Sequence, residues 1–103
     1  GVGLALAESW EEGSRGIYVH SLVPGRSAAL SGAIQRGSHL VSVNGQPVSA
    51  TPLSDIRGLI SGQDGTPVTL RLAAGSTGGI GGHYDVVLRR GAYGREHCKV
   101  VMG

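Results

Sequence analysis

Apolar residues alternate with polar or small residues in five stretches of the chain, and this period of two is typical of half-buried β-strands. The five predicted strands cover residues 1–7, 16–22, 39–43, 68–72 and 84–90. Asn44-Gly45 follows the third strand and is a strong signal for a tight hairpin turn. The next segment, 46–48, is predicted to be a short edge strand, because Pro47 lacks the N–H that a central strand needs.

Two other segments have helical spacing. In residues 28–34, Leu30 and Ile34 lie four positions apart and are predicted to share one face of about two helical turns, with Ser27 as N-cap. A second helix is predicted from about 52 to 61, with Thr51 as N-cap and Gly62 at its end. Its apolar residues form one broad face: Leu53, Ile56, Leu59 and Ile60.

The predicted order of elements is β-β-α-β-β-α-β-β, with antiparallel hairpins and no βαβ crossover. This order predicts an α+β fold that is mainly β: a small antiparallel barrel or sandwich of five to six strands capped by two α-helices. Residues 8–15 and the Gly-rich residues 73–83 are predicted to be loops. Residues 96–102 fit either a strand or a tail, and we favour a flexible tail over 92–103.

The bulk composition excludes several classes of function. The chain has 103 residues, which fits one domain, and a formal net charge of +2. Its nine basic residues are dispersed, so a nucleic-acid partner is not expected and the basic end is predicted to be a solvated surface. Cys98 has no partner for an internal disulfide. No apolar run has membrane-spanning length, so direct membrane insertion is not expected, and the absence of an initial Met suggests an excised domain.

The sequence predicts no catalytic residue, metal site or cofactor. Its four histidines, at 20, 39, 83 and 97, lack the spacing of metal ligands, and no serine lies in a nucleophile elbow. Gly1 and Gly3 suggest a dinucleotide-binding motif, but position 6 holds Leu instead of a third Gly and no long helix follows. The two glycines do allow consecutive N–H groups to converge on an anion.

Four motifs, in the right order, resemble those of PDZ domains. Residues 1–4, Gly-Val-Gly-Leu, resemble the Gly-Leu-Gly-Phe carboxylate-binding loop of the family. Residues 24–29 with Gly32 resemble its Pro-Gly-x-x-Ala-x-x-Gly segment, and residues 37–45 resemble Gly-Asp-x-Ile-x-x-Val-Asn-Gly with Ser38 in place of Asp. Residues 53–60 fall at the spacing of the helix that borders the peptide groove. The resemblance covers residues 1–91, which would be the PDZ domain.

One departure points to a subgroup of that family. Animal PDZ domains have a first strand ahead of the loop that residues 1–4 resemble, and no such strand precedes Gly1 in this sequence. Residues 84–90 are predicted to take the place of that strand beside 68–72. This is the strand order of PDZ domains in bacterial and plastid proteases. Residues 53–62 and 65–70 also resemble C-terminal processing peptidases. A native first strand before Gly1 is the alternative.

The resemblance implies that a peptide adds as a strand to the fold. The implied peptide-binding residues are Val2, Gly3, Leu4, Ala5, Leu6, Leu53, Arg57 and Ile60. The N–H groups of Val2, Gly3 and Leu4 would bind the terminal carboxylate of the peptide. The side chains of Val2, Leu4, Leu6 and Ile60 would line the pocket for its last residue; the alternative is that these four are plain core residues.

Two helix residues are expected to set the ligand preference. Leu53 would contact the third residue from the end of the ligand and favour an apolar one, unless it is simply part of the core. Arg57 would face the groove and favour Asp or Glu near that position. The alternative for Arg57 is a pair with Asp55 or Asp64, or a solvated side chain.

The implied function is a non-enzymatic module that, as a monomer, binds the C-terminal tails of partner proteins. The peptide would lie between the second strand of the family, which is the first strand here, and the second helix. Two alternatives remain: a substrate-recognition domain of a C-terminal processing or related serine protease, and a structural domain that binds no free peptide. A signalling scaffold would be cytoplasmic, whereas a protease domain would be periplasmic or plastid.

Overall fold

The computed structural model describes residues 1–73 and 82–102, where the elements follow the predicted order with one further strand at the end. The strands are β1 (Leu4–Glu11), β2 (Ser14–Leu22), β3 (His39–Val43), β4 (Gln46–Pro47), β5 (Pro67–Ala73), β6 (His83–Arg89) and β7 (Lys99–Met102). The helices are α1 (Ser27–Ser31) and α2 (Leu53–Ile60), and a short 3-10 helix (Arg95–His97) precedes β7. Most of the predicted Gly-rich loop, residues 74–81, lies outside the described residues.

β1 and β2 form one long hairpin. Their register runs from Leu4 opposite Leu22 to Glu11 opposite Ser14, with an irregularity between Ala5 and Leu6. The prediction of a loop over 8–15 was therefore wrong. The turn is the residue pair 12–13, in which both residues have positive φ, at 52° and 79°, as a type I′ turn requires. Residues 8–11 are mostly exposed in this strand, so they lack the apolar–polar alternation from which a strand is predicted.

The seven strands found in residues 1–73 and 82–102 belong to one antiparallel sheet. The strand order is β1-β2-β3-β5-β6-β7, and β4 pairs with β3 beside this path. Within the described part of the chain the two end strands, β1 and β7, pair with only one neighbour each. The mainly β class with two helices is confirmed, but the sheet is not closed into a barrel and has more strands than the expected five to six.

The last two strand pairings join the C-terminal part of the chain to the sheet. β6 pairs with β5 over seven positions, from Pro67–Arg89 to Ala73–His83, which confirms the predicted neighbour of residues 68–72. β7 then pairs with β6 from Lys99 opposite Val87 to Met102 opposite Tyr84. The preference for a tail over a strand at 96–102 was wrong. A strand of four exposed residues shows too little alternation to be recognised, although it satisfies the hydrogen-bonding groups along the edge of β6.

Helix α1 is shorter than predicted. It ends at Ser31, with Gly32 as C-cap at a φ of 66°, so Ile34 lies beyond the helix and does not share a helical face with Leu30. Arg26, and not Ser27, occupies the N-cap position. The Ser27 side chain instead donates a hydrogen bond to the Gly91 carbonyl at 2.8 Å, which ties α1 to the segment after β6.

Helix α2 has nearly the predicted bounds but different ends. Pro52 is its N-cap, and the hydroxyl of Thr51 donates to the Pro47 carbonyl at 2.9 Å instead of capping the helix. The helix ends at Ile60, with Ser61 as C-cap, rather than at Gly62. Its apolar face contributes to a single hydrophobic core, whose buried residues are Val2, Leu6, Ile17, Val19, Ala28, Ile34, Leu40, Val43, Val48, Ile56, Ile60, Val68, Leu70, Leu72, Val86 and Leu88.

Candidate functional site

Strand β1 offers an edge for a further strand. It pairs with β2 on one side and with no other strand among residues 1–73 and 82–102. An edge strand presents a row of backbone N–H and C=O groups that can pair with an added peptide. The predicted groove strand therefore has the free edge that strand addition requires.

The residues that lead into β1 form the N-terminal loop (residues 1–4), and its carbonyl groups are bound to the rest of the fold. The Gly1 carbonyl accepts hydrogen bonds from the Gly91 N–H at 3.2 Å and from Arg26 Nη2 at 2.9 Å. The Val2 carbonyl accepts from the Ala28 N–H at 3.0 Å. These bonds fix the planes of two consecutive peptide units, because each peptide unit is rigid.

The third carbonyl of the N-terminal loop, that of Gly3, accepts a hydrogen bond from the Val23 N–H at 2.9 Å. In contrast, the N–H groups of Val2 and Gly3 donate no hydrogen bond to any group in the described part of the chain. Buried backbone N–H groups in proteins are nearly always paired, and Val2 is only 1% exposed. Two neighbouring N–H groups without a protein acceptor can donate hydrogen bonds to an anionic group.

Glycine is required in this loop. Gly3 has a φ of 82°, and a Cβ added there would lie 2.4 Å from Cβ of Arg26. Both the backbone conformation and the close approach exclude a larger residue. The other glycine of the loop lies near the end of α2, since a Cβ on Gly1 would lie 3.8 Å from Oγ of Ser61.

The residues predicted to line the pocket belong to one cluster, and most of their side chains are buried. Val2, Leu6 and Ile60 lie in the buried core, with exposed fractions of 1%, 7% and 6%. Leu4 and Leu53 are half-buried and pack against that core. The structure thus brings the predicted residues together, and the core and pocket interpretations describe the same side chains.

Arg57 is exposed on α2, one turn after the half-buried Leu53. Its guanidinium forms no salt bridge with Asp55, Asp64 or any other acidic residue of the described ranges. The alternative of a pair with Asp55 or Asp64 is therefore not observed among the described residues, and the charge lies on an exposed side chain. Ala5, the remaining predicted residue, is half-buried in β1, where its backbone lies along the free edge.

One residue of this site was not found from the sequence. The Arg90 guanidinium donates to the carbonyls of Ile60 at 2.7 Å and Leu59 at 3.0 Å, at the C-terminal end of α2. It also donates to Oγ1 of Thr66 at 2.9 Å. The prediction of a solvated basic surface was wrong for this residue, because the open carbonyls of a helix end bind a cation well.

A separate cavity lies beside the β1–β2 hairpin. It has a volume of about 560 Å³, and its lining includes Ser9, Tyr18 and His39. No group of three or more His, Cys, Asp or Glu in residues 1–73 and 82–102 could hold a metal ion. Burial raises the pKa of the Cys98 thiol, which is the opposite of what an activated nucleophile needs. Neither described helix is long and apolar enough to span a membrane.

Two of the solved structures that resemble this chain come from carboxy-terminal proteases. One is the PDZ domain of a carboxy-terminal protease from Vibrio cholerae in complex with a peptide: it is 26% identical, with a TM-score of 0.75, and the match covers 87% of this chain and 91% of that one. The other is the photosystem II D1 C-terminal processing protease, at 25% identity and a TM-score of 0.71. That match covers 89% of this chain and 23% of the protease.

A protein-family model matches most of the chain. The model of the PDZ domain matches residues 1–73, which contain the N-terminal loop, β1 and α2. No curated protein matches the chain significantly. The family match, the strand order and the geometry of the loop agree, and the chain belongs to the PDZ domain family, whose members are peptide-binding modules.

Proposed function

We propose that this domain binds the C-terminal tails of partner proteins, which add as a strand to the free edge of β1 opposite α2. The observation that supports this most is the N-terminal loop. Its carbonyl groups at Gly1, Val2 and Gly3 are all bound to the fold, whereas the N–H groups of Val2 and Gly3 have no partner in the described structure. A terminal carboxylate can accept hydrogen bonds from both, and such charge-assisted bonds are strong.

The other site residues are arranged along the bound peptide, starting from its carboxyl end. The backbone of Leu4, Ala5 and Leu6 pairs with the peptide, and an apolar last side chain enters beside Val2 and Ile60. These pocket side chains are almost fully buried, which leaves little room for a ligand side chain. The pocket therefore opens by a small shift of α2 relative to β1 when the peptide binds. Leu53 lies near the third residue from the end of the peptide and favours an apolar residue there.

The domain itself is non-catalytic, and we propose that it acts as a monomer without a nucleic-acid partner, cofactor or membrane insertion. Its contribution to a larger protein is recognition. Affinity comes mainly from backbone hydrogen bonds, and specificity comes from the pocket side chains.

A decisive experiment compares peptides that differ only at the carboxyl end. A library of decapeptides with every residue at the last position selects the best binder, which is then measured with a free carboxylate and as its C-terminal amide. We expect the amide to bind at least about tenfold more weakly, since it lacks the charge that the loop amides prefer. The chain used should be extended before Gly1, because the terminal ammonium of Gly1 would otherwise attract a carboxylate by itself. Equal affinities would contradict the mechanism and favour recognition of internal strands.

The second candidate is a substrate-recognition domain within a C-terminal processing or related serine protease. Both neighbouring structures are such proteases or a domain of one, and the pairing of β6 with β5 fits the strand order expected for that subgroup. Sequencing the gene around this segment tests it: a Ser/Lys protease domain supports this candidate, and further interaction domains support a scaffold. A library screen without any binder would instead support a structural domain.

A further inference from the structure

Arg26 lies behind the N-terminal loop and contacts it twice. Its Nη2 atom donates a hydrogen bond to the Gly1 carbonyl at 2.9 Å. Its Cβ and Cγ atoms lie where a side chain on Gly3 would begin, at 2.4 Å and 2.8 Å from an added Cβ. The aliphatic part of Arg26 thus covers one end of the loop, while the guanidinium reaches the other.

The bond to Gly1 acts on the same peptide unit that carries the N–H of Val2. In a trans peptide the C=O and the N–H point in opposite directions, so a donor bound to the oxygen leaves the N–H directed away from it. A cation at the oxygen also polarises the peptide unit and makes its N–H a stronger donor. Arg26 therefore acts on the group proposed to bind the ligand without occupying the ligand's place.

The hydrogen bonds to the other carbonyls of the loop do not come from a charged donor. The Val2 and Gly3 carbonyls are bound by the backbone N–H groups of Ala28 and Val23, which are neutral. Arg26 is the only side chain among the described residues that donates to a carbonyl of the loop. Its guanidinium forms no salt bridge in residues 1–73 and 82–102, so its charge is not neutralised there.

We propose that Arg26 is the positioning residue that makes this loop selective for a charged carboxylate over a neutral peptide end. The inference rests on the proposed function, since it assumes that the loop binds the end of the peptide. Arg26 orients and polarises the Gly1–Val2 peptide unit and adds a positive charge beside it. The ligand group is a free terminal carboxylate, and an amide or an internal segment gains nothing from this charge.

The experiment measures two labelled peptides, the best library decapeptide with a free carboxylate and the same decapeptide as its amide. Each is titrated against the extended wild-type chain and against Arg26→Met, which keeps most of the aliphatic side chain over Gly3 but removes the charge. We expect the carboxylate peptide to bind Arg26→Met about fivefold more weakly and the amide peptide to change less than about twofold. The difference should shrink between about 0.05 M and about 0.5 M salt because the charge is near solvent. Arg26→Lys should recover part of the loss.

Arg36→Met is a matched control. Arg36 is an exposed arginine that also donates to a main-chain carbonyl, that of His20 at 3.2 Å, and its loss changes the net charge equally. It should leave both affinities unchanged. A wild-type chain without carboxylate preference would overturn the proposed function and this inference with it. A wild-type preference that Arg26→Met retains, or an equal loss for both peptides, would overturn only the role of Arg26.

Discussion

Arg90 donates a hydrogen bond from Nε to the carbonyl of Ile60 at 2.7 Å, which ties the residue after β6 to the last residue of α2. The next residue, Gly91, donates its N–H to the Gly1 carbonyl at 3.2 Å. Two adjacent residues thus bind the two sides of the proposed groove: Arg90 binds the helix end, and Gly91 binds the N-terminal loop. The spacing between these sides depends on a segment that lies outside the groove.

The first prediction concerns the stability that Arg90 provides. Arg90→Met should lower the free energy of unfolding by about 2 kcal/mol, because partly buried carbonyls at the end of α2 lose their donors. Urea denaturation measures this loss. Arg89→Met is the control: Arg89 is exposed and its guanidinium lies 5.2 Å from the ring centre of Tyr93, so its loss should be smaller. Equal losses for the two variants would show that the bonds to α2 contribute little.

The second prediction separates two roles of Gly3. Gly3→Ala forces a residue with Cβ into a φ of 82° and places that Cβ against Arg26. Gly13 has a similar φ of 79° but has no atom within 4 Å of an added Cβ. Gly13→Ala should therefore show the backbone strain alone, about 1 kcal/mol, and Gly3→Ala about 1–3 kcal/mol more. Thermal melts of both variants give the comparison. If the two variants melt alike, the contact with Arg26 is not tight.

The third prediction tests whether β6 belongs to the core. Leu88 is 1% exposed and pairs with β5, so Leu88→Ala should destabilise the domain by about 2–5 kcal/mol. In β7, Val100 is 47% exposed, and Val100→Ala should change stability by less than about 0.5 kcal/mol. Truncation at Gly82 should likewise lower the melting temperature sharply. A truncated chain that melts unchanged would show that β6 is an appendage.

Much of this fold could be predicted because the relevant signals are local. Asn44-Gly45 encodes its turn directly, since both residues adopt positive φ, at 51° and 82°. The strand at 84–90 and the helix at 53–60 show strong periodicity over several residues. The motif of the N-terminal loop depends on two glycines, of which Gly3 has positive φ in the structure.

The features that escaped prediction depend on contacts between distant residues. The pairing of β7 with β6 has no strong signal in a four-residue exposed strand. Arg90 resembles any surface arginine in the sequence, and its role appears only when β6 places it beside the end of α2, 30 residues earlier. Arg26 likewise reaches Gly1 across 25 positions. Side chains that bind backbone carbonyls leave no periodic pattern, so spacing arguments cannot detect them.

The last prediction concerns ligand choice by Arg57. Arg57 lies one turn after Leu53 on α2, is exposed, and has no acidic partner within the described part of the chain. Its methylenes can lie along the apolar surface of the helix while the guanidinium meets a carboxylate of a bound peptide. We therefore expect peptides with Asp or Glu at the second or third residue from the end to bind better than neutral ones.

The gain should be small, about 0.2–1 kcal/mol or less than about sixfold in Kd, because the charge is at the rim and is screened by salt. Arg57→Ala is titrated with an acidic and a neutral peptide of otherwise identical sequence, at low and high salt. The variant should lose the preference for the acidic peptide, and the wild-type preference should weaken at high salt. Arg36→Ala, which removes an equal charge elsewhere, should retain the preference. If Arg57→Ala weakens both peptides equally, or neither, then Arg57 does not select the ligand and its exposure on α2 reflects only solvation.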